Sequence, residues 1–443
     1  MTSKDTKDDK PVPPLGRKGR GKDGSRRIAA SMLAAVTRGK TLDEVRTRLD
    51  DLPTQERNLA DAIVQTALRH YGEITETLAH FMKRPLPLRP HIAHALLVCG
   101  AAQILFMKVP AHAAIDETVA ATGRREQPFR GLINAVLRKI AKAQETDMLP
   151  PMDATANLPD WMRVRFEAAY GRDKTAAFCA SHIRGADLDL AFKNPAKAAA
   201  WAASQEAEIL TPTHIRVRKP GAVTRLKDYQ KGDWFVQDVA AGFPAAILLD
   251  ALPDTAHVLD LCAAPGGKTA QLAAAGHDVT ALDISAARLH RVQENLSRLT
   301  LTARLVTADA LEWTPETKFD AIMLDAPCSA SGTLRRHPDL ALNRSANYIS
   351  KLAGLQAALL DRAWGWLKKD GLLCYAVCSL DPMEGEAQAV DFLSRHATAR
   401  ALVPQGVPRD FVFDTHLRTT PTDWSAQGGM DGFFATLFQK TSE

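Results

Sequence analysis

A chain of 443 residues exceeds what a single hydrophobic core usually organises and implies two or three domains. Apolar residues at 46% and charged residues at 24% are ordinary for a soluble globular protein. Six cysteines without paired spacing exclude a disulfide framework and point to a reducing, cytoplasmic location. The net charge of +5 is unevenly spread: residues 1–27 hold nine Lys/Arg against four Asp, and residues 213–231 hold six against one. Clustered cations suit a polyphosphate partner because each neutralised phosphate releases counterions, although a solvated tail and a surface loop account for either run alone.

Residues 1–24 are rich in Lys, Asp, Gly and Pro, which predicts a disordered basic tail, and they contain no apolar leader. Residues 25–145 have helical periodicity throughout. Ile28, Met32, Leu33 and Val36 share one face, as do Leu132, Ile133, Val136, Leu137 and Ile140, and no strand-like alternation interrupts them. The stretch PHIAHALLVCGAAQILFM (90–107) approaches membrane-spanning length, but it carries His91, His94 and Gln103 between amphipathic neighbours. It is expected to be a buried helix in a protein with no membrane association.

Pro150-Pro151 breaks the helical pattern. Residues 146–233 are expected to form a linker and a small α+β connector, with helices at 161–170 and 196–206 and a strand at 188–192. From about residue 234 to 443 the rhythm becomes strand, loop, helix, which implies right-handed crossovers and a mostly parallel sheet covered by helices.

Ligands in such sheets bind outside the carboxyl ends of the strands. DLCAAPGGKT (260–269) is not a P-loop, since Cys262 stands where that motif needs glycine, and the dinucleotide fingerprint is also absent. What remains is a turn in which Gly266 and Gly267 permit close approach of a ligand. Asp283 closes the next strand and can accept both hydroxyls of a ribose; Asp309 closes the third and can accept an adenine amine. Each acid alone reads equally well as a helix cap. Together, without a phosphate loop, they suit S-adenosylmethionine.

Cys328 in AIMLDAPC and Cys378 in LLCYAVCSL end the fourth and fifth strands, which are neighbours in methyltransferase-like sheets, so both should face one pocket. Cys374, deeper on the second strand, suits the core; with no further Cys/His pair nearby, no metal site is expected. Methylating carbon 5 of a pyrimidine requires a thiolate that adds to carbon 6, a group at the base edge, for which Asp325 is suited, and a proton acceptor.

These residues carry a resemblance. DLCAAPGGKT, ALDIS, DAPCSASGTLRRHPD, YAVCSLDPMEGE and GMDGFFATLF resemble, in order, the motifs of the Sun/RsmB (Fmu) group of RNA cytosine-5 methyltransferases. AAQILFMKVPAHAAIDETV and GLINAVLRKI resemble the NusB-like RNA-binding domain of that group. The resemblance implies a multidomain chain: an all-α NusB-like domain, the connector, and an α/β class I (Rossmann-like) domain dependent on S-adenosylmethionine. It further implies that Cys262, Ala263, Ala264, Pro265, Gly266, Gly267, Lys268, Asp283, Asp309 and Asp325 line the cofactor pocket. By the same resemblance Cys378 is the nucleophile, and Cys328 assists breakdown of the covalent adduct. Ala330 and Val377 depart from the glycine and threonine usual in the group. The expected partner is 16S ribosomal RNA, bound by a monomer; the same chemistry on transfer RNA and a non-catalytic, antitermination-like RNA scaffold are the alternatives.

Overall fold

Residues 25–145 are helical because apolar side chains recur every three to four positions and bury one face of each segment. The computed structural model describes residues 24–84, 86, 91–218 and 221–441. The expected basic tail, through residue 23, therefore lies outside the described residues, as do Lys219 and Pro220 of the second basic run. Helices Ser25–Val36, Thr54–Arg69 and Arg130–Glu145 surround His91–Phe106, which is apolar on every side and central to the bundle. Gln103 is tolerated there because it accepts from Arg26 Nε (3.1 Å) and donates to the Cys99 carbonyl (3.0 Å). Leu132, expected on the buried face of its helix, is 40% exposed; Ile133, Val136, Leu137 and Ile140 fill that face without it. No helix among the described residues is long and apolar enough to cross a membrane.

The connector contains helices Asp160–Tyr170 and Pro195–Gln205 where expected, and a further helix, Arg172–Arg184. Its strands are β1 (Leu188–Phe192), β2 (Glu208–Ile209), β3 (His214–Val217) and β4 (Trp234–Val236), antiparallel in the order β2-β3-β1-β4. Trp234–Val236, read from sequence as the start of the next unit, thus pairs with β1 and joins the connector's sheet. The basic run is also partly internal. Arg216 on β3 faces Asp189 on β1 in register, both fully buried and joined by two hydrogen bonds of 2.7 Å. Arg218 pairs with Glu208 and Lys231 with Asp228, so much of this charge is neutralised by the connector itself.

The third unit is built on β5 (His257–Leu261), β6 (Asp278–Asp283), β7 (Arg304–Thr307), β8 (Phe319–Asp325) and β9 (Leu367–Val377), all parallel in the order β7-β6-β5-β8-β9. Strand order reverses between β5 and β8, the crevice at which α/β sheets bind ligands. Beyond β9 the sheet becomes antiparallel. β10 (Ala399–Leu402), β11 (Val412–Phe413), β12 (His416–Thr419) and β13 (Phe433–Lys440) follow, with β13 pairing both β9 and β10. β8 and β9 are buried along most of their length, as strands covered on both faces must be.

Replacing Arg216 by Met leaves Asp189 charged in a dry interior and is expected to cost about 3–5 kcal/mol. A lower urea midpoint measures the loss, and adding Asp189→Leu should recover part of it.

Candidate active site

The turn after β5 is shaped by backbone rather than by side chains. Gly266 sits at φ +98°, and a Cβ there would come within 2.9 Å of Val292. Its glycine is thus required by conformation and by the helix beneath, in addition to any ligand above. Helix Gly267–Ala274 then begins with Lys268 and Thr269 in its first turn. Asp283, at the end of β6, is buried and holds this turn in place. Its Oδ2 accepts from Ala264 N (3.1 Å) and faces Arg288 (3.4 Å), while its Oδ1 accepts from Ser285 N (2.9 Å). Ala263 N reaches across to the Leu282 carbonyl at 3.0 Å, so residues 262–266 and the end of β6 form one unit. Cys262 has φ +65°, and burial followed by the Asp283 charge pushes its thiol upward, so it is held as the thiol.

Asp309 lies two residues beyond β7, which ends at Thr307, and not on the strand end as the sequence suggested. It is exposed, and its Oδ1 accepts from Leu311 N (2.9 Å), a helix-cap-like contact.

Across the crevice, Lys268 is buried and donates from Nζ to Asp325 Oδ2 at 2.7 Å, with its ammonium over the Phe433 ring at 5.3 Å. Burial alone would lower the pKa of Lys268, but Asp325 outweighs it and holds the amine above its ordinary value; the Cys378 sulfur contributes in the same direction.

Cys328 lies three residues beyond β8 and Cys378 directly follows β9; both are half-buried. Parallel register between the strands (Asp325 opposite Ala376) brings their sulfurs to 3.4 Å, a thiol contact far longer than a disulfide. The hydrogen bond to Cys378, then burial, pushes the Cys328 thiol well above its usual range; in the contact itself either sulfur can donate. Cys374, as expected, is fully buried; it donates to the Pro244 carbonyl, and burial pushes its thiol up to about 12.

The loop after Cys328 is tightly specified. Gly332 donates to the Cys378 carbonyl (3.0 Å), and a Cβ on it would meet the Gly432 carbonyl oxygen at 2.0 Å. Ala330 has φ +56°, the left-handed region, which costs a residue with a Cβ about 1–2 kcal/mol. Two features of this loop had no role in the sequence reading. Arg335 and Arg336 together bind Asp238 and Asp431, with Arg335 Nε to Asp431 at 2.8 Å and Arg336 Nε to Asp431 at 3.0 Å. Glu384 is buried among Ser329, Ser331 and Ser379. The only linear signals were the doubled Arg and the repeat of Cys-Ser at both strand ends. Among the described residues, no group of three His, Cys, Asp or Glu side chains is arranged to hold a metal ion.

Comparison with known proteins agrees with this architecture. The family model for 16S rRNA methyltransferase RsmB/F matches residues 246–439, and that of the NusB family matches residues 23–142. The ribosomal RNA small subunit methyltransferase B of Erwinia tasmaniensis is 35% identical over 83% of this chain and 90% of its own. That of Xanthomonas campestris pv. campestris is 36% identical over 94% of this chain and 97% of its own. Among solved structures, PH0851 superposes with a TM-score of 0.75 at 22% identity, covering 94% of this chain and 99% of its own. NSun6 from Pyrococcus horikoshii with SFG gives 0.54 at 19% identity, over 64% of this chain and 99% of its own. These two structures speak for the fold.

Asp260, on β5 beneath the glycine turn, is fully buried. Its Oδ2 accepts from Thr269 Oγ1 (2.5 Å), whereas its Oδ1 has no partner among the described residues. Burial pushes its carboxyl up to about 7. The folded chain therefore holds this proton more tightly than the unfolded chain, and the stability that results is full at acid pH and lost as pH rises through 7. Asp260→Asn is expected to gain on the natural protein between pH 5 and pH 8 by a few kcal/mol, read from urea midpoints at the two values. A constant difference would contradict it.

Proposed function

We propose that this chain, which belongs to the RsmB/F family of 16S rRNA methyltransferases, methylates carbon 5 of a cytosine in ribosomal RNA through a covalent cysteine–pyrimidine adduct. One observation carries the chemistry: the sulfurs of Cys328 and Cys378 meet at 3.4 Å at the carboxyl edge of β8 and β9, the same sheet edge as a glycine turn whose sequence lacks a phosphate-binding motif. A single thiol would serve addition. A second thiol in contact with it, held protonated, suits a reaction in which a bond to sulfur must first form and later break.

S-adenosylmethionine, when bound, supplies the methyl group. The residues present suit it. The turn 262–268 offers backbone, Asp283 retains unused acceptor capacity on Oδ1 for a ribose hydroxyl, and the exposed Asp309 keeps one carboxylate oxygen for an amine. Lys268 and Asp325 form an ion pair at the place assigned to the base edge, so Asp325 is held in orientation before a base arrives.

In this reading Cys378 is the nucleophile. Its thiolate adds to carbon 6 of the cytosine, and the electron density displaced to carbon 5 takes the methyl. A base, supplied here by solvent water, then takes the carbon 5 proton; the C–H electron pair returns to the ring and the Cys378 sulfur leaves as a thiolate. Cys328 keeps its proton beside Cys378 and assists that expulsion, in line with the upward push on its thiol. The NusB-like residues 25–145 and the connector 146–233 are assigned to binding RNA, ahead of the methyltransferase unit 234–443, with the connector's sheet extending through Val236.

Two substitutions test the roles. Cys378→Ala is expected to lower turnover on 16S rRNA by more than about a thousandfold, measured by transfer of labelled methyl. Cys328→Ala should accumulate protein bound to RNA, seen as a slower band in a denaturing gel. Free turnover in the first variant, or no band in the second, contradicts the assignment.

A further inference from the structure

We infer that Glu384 is a positioning residue for this reaction: it clasps together the two Cys-Ser steps that carry the reactive sulfurs and so sets the contact between them. The inference rests on the reading of Cys328 and Cys378 as the reacting pair.

Glu384 is fully buried, and each of its carboxylate oxygens is shared between elements. Oε1 accepts from Ser329 N (2.9 Å) and Gln356 Nε2 (3.1 Å). Oε2 accepts from Ser329 Oγ (2.5 Å) and Ser379 Oγ (2.6 Å). Ser329 follows Cys328, Ser379 follows Cys378, and Gln356 lies on helix Ala346–Trp366. One side chain therefore binds the loop after β8, the loop after β9 and the helix that covers both. Ser331 Oγ closes the arrangement at 3.2 Å from Ser329 Oγ and 3.1 Å from Ser379 Oγ, and receives Leu380 N at 3.0 Å. The acid is itself anchored, because Tyr375 on β9 donates its hydroxyl to the Glu384 carbonyl at 2.6 Å.

A buried carboxylate is a costly way to fill space, and an apolar side chain of similar volume stabilises at least as well. No Lys or Arg forms a salt bridge with Glu384 among the described residues; Arg165, whose charge senses it, pairs with Asp381 at 2.5 Å. The four donors are what compensate its burial, and three of them come from the residues next to the reactive cysteines. Separating either loop from the other would leave the carboxylate with unmet acceptors. The clasp is thus a restraint on the sulfur–sulfur distance supplied from outside the reacting atoms. The Glu384 charge also adds to the upward push on the Cys328 thiol, after the hydrogen bond to Cys378 and burial.

The test compares the full-length natural protein with Glu384→Gln, Glu384→Ala and the double variant Ser329→Ala/Ser379→Ala. Turnover is measured on transcribed 16S rRNA with S-adenosylmethionine. Binding of phenylarsine oxide, which needs two thiols within bridging reach, is measured in parallel and requires no methyl transfer. Gln can keep an oxygen toward Ser329 N and Gln356 and place its amide toward two hydroxyls able to accept, so turnover should stay within about threefold. Glu384→Ala and the double serine variant should lose about tenfold to a hundredfold in kcat, with KM for S-adenosylmethionine unchanged. Phenylarsine oxide should bind both of these variants about tenfold more weakly. Should Glu384→Ala not fold, the double variant, which removes only two hydroxyls, decides. The clasp is overturned if the double variant keeps natural kcat, if arsenical binding survives where turnover is lost, or if Glu384→Gln fails as badly as Glu384→Ala. If the natural protein forms no adduct with RNA containing 5-fluorocytidine, the covalent reading fails instead, and arsenical binding still judges the clasp.

Discussion

The parallel pairing of β8 with β9 is the constraint on which the rest depends. Two strands fifty residues apart in sequence end side by side, and the residues just past their ends can only project into the same crevice. Parallel strands cannot be joined by a short turn, so the chain between them must leave the sheet, cross it and return. The crossover here includes the helix Ala346–Trp366, and Gln356 on that helix donates both to the Pro327 carbonyl and to Glu384. The connection required by topology therefore also braces the site.

A second constraint is ionic and lies behind the loop that follows Cys328. Arg335 and Arg336 share Asp238, from the entrance to the third unit, and Asp431, from the turn before β13. Both guanidiniums beside it outweigh burial and hold the Asp238 carboxyl well below the usual range. Such a buried cluster is weak evidence for net stability, since desolvation offsets much of the attraction, but losing one member leaves the others uncompensated. Its effect is to join three segments far apart in sequence into one rigid wall.

The helical unit touches that same wall. Arg69 donates to the Arg335 carbonyl (2.9 Å) and the His182 carbonyl (2.7 Å), Leu42 N donates to Asp339 Oδ2 (2.9 Å), and Asn343 Nδ2 donates to the Lys40 carbonyl (2.8 Å). A domain proposed to hold RNA thus contacts the loop that carries a proposed reacting group. Each of these bonds joins a side chain on one unit to a backbone group on the other, so the contact depends on Arg69, Asp339 and Asn343 as well as on the shape of the loop.

Much of this was legible along the chain. Polar residues inside it and amphipathic neighbours marked His91–Phe106 as a buried helix despite its membrane-like length, the switch to strand, loop, helix identified the parallel sheet, and strand-end positions brought Cys328 and Cys378 together. These features are periodic or local, and local geometry constrains them before the fold is complete. Tertiary structure alone decided the remainder. It buried Arg216 against Asp189 although the surrounding run looked like a cationic surface, moved Asp309 off its strand, and gathered Ser329, Ser379, Gln356 and Glu384 around one carboxylate. A charge's meaning is set by what shares its low-dielectric surroundings, and those neighbours lie tens to hundreds of residues away, where no period in the sequence reaches.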